Sequence, residues 1–559
     1  MRKMLLISGL LAIWGCSTQV GRANDSGMDP GDAGLSDTIK DSLPDSRIDR
    51  PDTGQEPMDE LSEGKEDAVD ANPGPDCGAD GMIVLQGPCQ AKFKCTNPDK
   101  YVPLTTVTCA DMGLDSSCCQ GVGCNEGQEL QCPAGKVCTP NMVNATNAPC
   151  AFKPGMVIDA KKTLSMVIPQ GTGELVFEAT ATAWYGDFSV AGREGAALRV
   201  EGPNTIPRYM VIPGGVENVP VHIVLGPSQP GTVTVSVDAG LSPSGDTPVW
   251  LTHARIQVLP PTDPLYEAYR HVPYFMGNAG RFISDLPLAL TFNPTGGTGF
   301  DYTLFYSNED SGYGLLPSLA LAAWGRSVDI EWAANVSGSD QTTRNATFQT
   351  EDHGSKVFDG KWMGLHPVFY IANAHGTFSE TGVGTVMFAP GPWKQPSARP
   401  REVFLDDRPW MVKTCNMELY REHKLRGSTP TVSKLQVPDL RQVLYLDMDA
   451  SMAGYKLDLK LSLNGQTSML NAGLGERAMM TDSGPKRIAM AFPADATIEA
   501  LREYGVLQAC LHGTGTGQAV LHKMTAFALD QEFRRVTPPL FTVDKDITLI
   551  PGTCVNLGQ

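Results

Sequence analysis

Basic residues are scarce in this chain: 44 Lys and Arg stand against 62 Asp and Glu, a formal net charge of −18 over 559 residues. Nucleic acid and anionic lipid surfaces both require concentrated Lys and Arg, so neither is expected as a partner. Long apolar runs are missing beyond the first sixteen residues, which excludes a transmembrane helix in the body of the chain. Aromatic residues make up only 7% of the whole, and none falls between Ser17 and Asp76. There is no G-x-S-x-G, no H-E-x-x-H, no P-loop, no Rossmann glycine fingerprint and no papain-like cysteine context. The common hydrolase, zinc-protease and nucleotide-binding signatures are therefore excluded.

What is present begins with Arg2 and Lys3, an apolar run from Leu5 to Trp14 too short to span a bilayer, and Gly15-Cys16. This resembles a bacterial lipoprotein signal. The resemblance implies removal of residues 1–15, acylation of Cys16, and attachment to the outer membrane of a Gram-negative bacterium. An ordinary secretory signal with an incidental cysteine would export the chain equally. Ser17, in place of an inner-membrane-retaining Asp, resembles lipoproteins sorted outward; the periplasmic and surface faces both stay open.

Residues 16–76 follow as a tether. Between Asn24 and Asp76 sixteen Asp and Glu stand against four Lys and Arg, among many Gly, Pro and Ser. Such a segment buries too little apolar surface to offset its conformational entropy, so disorder is expected. Sixty flexible residues would average about 40 Å end to end, and self-repulsion would extend them.

From residue 77 the chemistry changes. Cys77, Cys89, Cys95, Cys109, Cys118, Cys119, Cys124, Cys132, Cys138 and Cys150 crowd a stretch with few large apolar side chains. In an exported chain this predicts a disulfide-rich module over 77–153, with pairing unassigned. Zinc is the competing reading, but the module has no His and no C-x2-C pair. Removing Cys16 from the fourteen cysteines leaves an odd number, so at least one stays unpaired. A Cys510 to Cys554 bridge with Cys415 buried and free is the preferred arrangement.

The remainder predicts a mainly β protein. Short runs at 174–185, 219–225, 232–238 and 254–259 are rich in β-branched residues and separated by Gly and Pro, which predicts an immunoglobulin-like β-sandwich over 154–262. Runs at 288–292, 301–306, 327–332, 367–372, 443–447, 455–463, 487–492 and 519–524 predict a larger antiparallel β-sandwich or jelly-roll-like body over 263–559, with a division near 400–440. Helices are expected only at 266–271 and 496–504.

Polar residues are densest between Asp301 and Glu380. The Ser307-Asn-Glu-Asp310 and Trp324-Gly-Arg-x-x-Asp-Ile-Glu segments resemble those of an uncharacterised family of exported bacterial proteins over about 266–421, which implies a shared fold and no stated activity. Asp329 and Glu331 are two apart, so on a strand both carboxylates share one face. Ser327-Val-Asp-Ile-Glu331 is also similar to the catalytic strand of jelly-roll β-glucanases, in which Glu-x-Asp-x-Glu supplies nucleophile, helper and acid/base. Here Ser327 takes the nucleophile's place and removes the group a retaining mechanism requires. The plain structural reading is a surface acidic face with Arg326 as partner. His366 and His375 are candidates to join Asp329, Glu331 or His353 on a metal, although their spacing is not a ligand signature. Ca2+ at Ser307 to Asp310 is the one cofactor left open; none is otherwise expected.

Two readings follow. The first is a membrane-anchored, surface or periplasmic lipoprotein with a binding or structural role toward a glycan or protein at the cell surface. The alternative is a carbohydrate-active or metal-dependent hydrolase in 263–559, resting on Asp329, Glu331, His366 and His375.

Overall fold

The computed structural model describes residues 155–183, 195–242, 248–277, 286–308, 315–372, 376–395, 400–426, 436–472 and 474–558, with five short strands before them. The signal, Cys16 and the tether lie outside the described residues, as does most of the cysteine-rich module. The five strands are β1 (Met82–Val84), β2 (Lys92–Thr96), β3 (Thr106–Thr108), β4 (Glu129–Gln131) and β5 (Val137–Pro140). Cys95 on β2 and Cys138 on β5 stand directly opposite in the ladder; the other eight cysteines of the module are outside the described residues. The protein is mainly β, as the sequence predicts.

The first sandwich holds β6 (Gly155–Ile158), β7 (Leu164–Val167), β8 (Glu174–Ala183), β9 (Gly195–Glu201), β10 (Arg208–Pro213), β11 (Val216–Pro227), β12 (Thr232–Val237) and β13 (Val249–Leu259). One sheet runs β11-β8-β13-β6 and the other β10-β9-β12-β7. Eight strands dealt between two sheets in that order are the double Greek key of a jelly roll, which refines the immunoglobulin-like expectation for this sandwich. Its core follows the period of two: Leu175, Phe177, Ala179, Ala181 and Ala183 of β8 all enter it. Val176 of β8 and Val224 of β11 point the other way, into the core of the next body.

That middle body contains α1 (Tyr266–Arg270), β14 (Tyr274–Gly277), β15 (Pro287–Gly296), β16 (Gly299–Tyr306), α2 (Leu315–Trp324) and β17 (Ile330–Ser337). It continues with β18 (Asn345–Gln349), β19 (Ser355–Val357), β20 (Trp362–Met363), β21 (His366–Ile371), β22 (Phe378–Ser379), β23 (Val386–Phe388) and β24 (Pro392–Lys394). One sheet is β19-β18-β17-β16-β15-β24. The other, β20-β21-β14-β23, joins the first sandwich through parallel pairing of β23 with β10, so one nine-stranded sheet crosses from jelly roll to middle body. Phe275, Phe348, Phe358, Phe369 and Phe378 fill the space between the sheets with ring centroids 4.8 to 6.3 Å apart.

A helix, α3 (Pro409–Arg421), leads to the C-terminal sandwich. Its elements are β25 (Val443–Ser451), β26 (Lys456–Leu463), β27 (Gln466–Met469), β28 (Gly484–Ala491), α4 (Ile498–Tyr504), β29 (Val506–His512), β30 (Ala519–Phe527), β31 (Phe541–Val543), β32 (Ile547–Leu549) and β33 (Cys554–Gly558). Its sheets are β28-β25-β30-β31, with β32 also on β30, and β27-β26-β29-β33. Leu457, Leu459, Leu461 and Leu463 of β26 supply the inner face between them.

Two helices escape the periodic reading. Leu319 and Ala322 of α2 enter the C-terminal core while Leu321 enters the middle core, so this helix is buried on opposite faces and has no polar stripe to mark it. In α3 the polar Thr414, Asn416 and Glu418 are buried beside Met411, Cys415 and Leu419, which blurs its apolar period as well.

Cys510 on β29 and Cys554 on β33 are bonded across the ladder, and Cys415 is buried and free, as expected. The bridge closes a sequence separation of 44 residues. Loop-closure entropy alone predicts that a Cys510→Ala/Cys554→Ala variant loses about 4 kcal/mol, read as a lower denaturant midpoint at unchanged fold. An unchanged midpoint would show that the C-terminal strand is held by packing.

Candidate functional site

A groove lies where the outer face of the β11-β8-β13 sheet meets the middle body. On the sheet side, the register places His222 of β11 and Arg255 of β13 on either side of Glu178 of β8. The result is one polar row across three strands. Arg255 Nε donates to Glu178 Oε2 at 2.6 Å and Gln257 Nε2 donates to Oε1 at 2.8 Å, while His222 Nε2 stands 3.4 Å from Oε1. A bulge between Thr252 and Arg255 carries His253 at φ +52° to the rim.

The facing wall comes from α1, β15 and β24. Tyr269, Phe292, Pro392, Trp393 and Lys394 close a groove of about 710 Å3 over the Glu178 row. Tyr269 Oη lies 2.8 Å from His222 Nε2, and Trp393 meets the imidazole edge-on at 5.6 Å. The Arg408 guanidinium stacks on Trp393, 4.9 Å from the ring centroid. Gly391 is required where it sits, because a Cβ there would fall 2.5 Å from the His222 ring.

Burial pushes the His222 imidazole down to about 4, with Glu178 opposing and Arg255 assisting, so the ring is neutral at physiological pH. Glu178 and Arg255 offset each other, which leaves exposed Lys394 as the net charge of the lining. The groove therefore combines an aromatic wall, a pre-ordered row of donors and acceptors, and weak positive charge. No protein family, curated protein or solved structure matches this chain.

The residues singled out in the sequence lie elsewhere. Asp329 stands opposite Tyr306, and Glu331 opposite Leu304, so the two carboxylates share one face of the sheet as their spacing predicts. The expected surface acidic face is overturned: both side chains are buried, with exposures of 3% and 10%. Arg326, the expected partner, lies 3.8 Å from Asp329 and 3.2 Å from Glu402. Gln349 donates to Glu331, and His353 Nδ1 lies 2.7 Å from the Gln349 amide nitrogen and 3.8 Å from Glu331. Neither carboxylate lines the groove.

His366 is also buried, donating from Nδ1 to the Val272 carbonyl at 2.9 Å and stacking on Tyr274 at 4.3 Å. Its Nε2 is 3.6 Å from Glu174. Asp329 faces Gly376, past the far end of β21, about 16 Å along the strand from His366. The structure therefore does not bring His366 to the carboxylate pair. His375, Glu309 and Asp310 lie outside the described residues. Ser307 Oγ accepts from the Leu286 amide and Asn308 donates to Glu422 at 2.8 Å. Among the described residues no group of three His, Cys, Asp or Glu is placed to hold a metal, and no helix is long and apolar enough to cross a membrane.

Sequence reasoning passed over Glu178, His222, Tyr269 and Trp393. The available signal was weak but real: polar residues at the outward positions of strands otherwise rich in Val and Ala, and a half-buried Trp following Pro390-Gly-Pro392.

Proposed function

We propose that this chain is a lipid-anchored exported protein that binds a glycan in the groove between its jelly roll and middle body. The groove itself carries this reading. Sugar rings offer flat C–H faces that stack on aromatic rings, and hydroxyls that hydrogen-bond to fixed planar groups. Trp393 supplies the first; Glu178, Arg255 and neutral His222 supply the second. Convergent polar groups on a mainly apolar wall are the ordinary form of a small-ligand site. In this proposal Cys16 anchors the chain and residues 17–76 hold the binding body away from the membrane.

The test is a glycan-array screen of the exported chain beside Glu178→Gln and Arg255→Gln variants. Binding lost in both variants supports the reading. A protein partner captured in the same groove, or glycan binding indifferent to both substitutions, overturns it.

The anchor has its own test. Cys16→Ala should move the chain almost entirely from the membrane fraction to the soluble fraction, read by detergent partitioning, because the apolar acyl chains supply the membrane affinity. Continued membrane association would refute it.

A further inference from the structure

The C-terminal sandwich presents a second cluster, independent of the groove. Ser451 Oγ lies 2.8 Å from His522 Nε2, and His522 Nδ1 lies 3.1 Å from Asp546 Oδ1. This is the connectivity of a serine nucleophile, an imidazole base and an orienting carboxylate, with each ring nitrogen on its proper partner. The residues come from three neighbouring chain segments: the end of β25, the middle of β30, and the residue preceding β32.

The backbone explains how His522 reaches the face of Ser451. The β25 to β30 register runs Asp449 opposite Lys523 and then Ala450 opposite Leu521, an irregularity of one residue. Without it Ser451 would stand opposite Leu521, whose side chain is in the core. The extra residue on β30 sets Ser451 opposite Val520 and turns His522 to the outer face, which Ser451 already holds because Met448 and Ala450 of β25 face the core. Bulges that re-aim a side chain are common beside active sites. His522 and Asp546 then fall at opposed positions, continuing the pairing of Leu521 with Ile547.

The turn after Ser451 is tightly held. Ala453 has φ +50° and Gly454 φ +88°. Thr516 donates to the Ala453 carbonyl at 3.0 Å, and Gly515 approaches that carbonyl so closely that a Cβ would lie 2.5 Å from it. Met452 N–H is given to Ser483 Oγ at 2.8 Å.

We propose that Ser451, His522 and Asp546 form a nucleophilic relay that hydrolyses short acyl esters carried on an extended substrate. The open setting selects that class, since 38% of the His522 side chain and 71% of the Asp546 side chain are exposed. Ser451 Oγ bonds to the acyl carbon as its proton passes to His522 Nε2. The ester C–O bond breaks, and the leaving alcohol takes that proton. Water then attacks the acyl-serine and gives a proton to Nε2. The bond to Ser451 breaks, Oγ recovers the proton, and a carboxylic acid leaves. Asp546 is a positioning residue, holding the imidazole with Nε2 toward Ser451.

The experiment treats the full chain with a fluorophosphonate probe and, separately, with p-nitrophenyl acetate. The expected result is probe covalently attached at Ser451 in the mapped peptide, with fluoride released, and ester hydrolysis that falls at least about tenfold in Ser451→Ala and in His522→Ala. Asp546→Asn should slow labelling of Ser451 at an unchanged melting temperature, because the imidazole is no longer held with Nε2 toward Oγ, and Asp546→Glu should restore it. No probe on Ser451, or hydrolysis retained in Ser451→Ala with an unchanged melting temperature, overturns the relay. A labelling rate unmoved by Asp546→Asn overturns the role given to Asp546.

Discussion

Trp393→Ala is expected to lower the affinity of the groove for its glycan at least about thirtyfold, because a fully packed aromatic anchor typically contributes 2 kcal/mol or more to an interface. Trp393 is contacted by the His222 imidazole and by the Arg408 guanidinium, which hold its ring in one orientation. A fixed ring gives stacking area with little further loss of side-chain entropy on binding. Lys394→Ala, one residue on and exposed, should change affinity only a few-fold and make it less sensitive to salt. Titration calorimetry with a sugar identified on the array distinguishes the two. If Trp393→Ala binds as tightly as the parent while Lys394→Ala does not, recognition is electrostatic and the aromatic wall is only packing.

Arg487→Met is expected to destabilise the chain by about 3–5 kcal/mol, the usual result of removing one partner from a buried charge cluster. Arg487 on β28 is 3% exposed. It donates to Asp406 at 2.7 and 2.8 Å, to Asp447 at 2.7 and 3.1 Å, and to the Glu402 carbonyl at 3.0 Å. Burial alone would lower the guanidinium pKa, and the hydrogen bonds to Asp406 and Asp447 more than reverse that effect. Asp406 follows the short helical turn Arg401–Leu405, whereas Asp447 lies on β25, so this side chain ties the middle body to the C-terminal sandwich. Arg535 reaches both carboxylates, at 3.4 and 3.3 Å, and would be left as their only cationic partner among these contacts. The loss should appear as a lower denaturant midpoint and faster hydrogen exchange in β25 and β28. Asp406→Asn added to Arg487→Met should recover part of it, since one uncompensated charge is then removed. A stability unchanged by Arg487→Met would mean that Arg535 and solvent suffice for the two carboxylates.

Much of the architecture was legible because it depends on local period and on counting. The leucines of β26 alternate without interruption, and they line the core in that order. Parity and separation alone selected Cys510 with Cys554 and left Cys415 in the interior. By contrast, Asp329 and Glu331 drew attention because acidic pairs on a strand suggest chemistry. Their depth depends on residues distant in the chain: Glu402 binds Arg326 beside Asp329, and Gln349 covers Glu331. No window around Ser327 contains that information.

The same division runs through both sites. Composition and periodicity determined an acidic, mainly β chain with a cysteine-dense region ahead of its sandwiches, because burial of alternate side chains is a property of each strand taken alone. Strand order and register are properties of pairs. Only the tertiary structure could set His222 and Arg255 on either side of Glu178, carry Trp393 across to face them, and run one sheet from the jelly roll into the middle body. Only a one-residue irregularity between β25 and β30 could bring His522 to Ser451, since a shift of one position moves a side chain from one face of a sheet to the other.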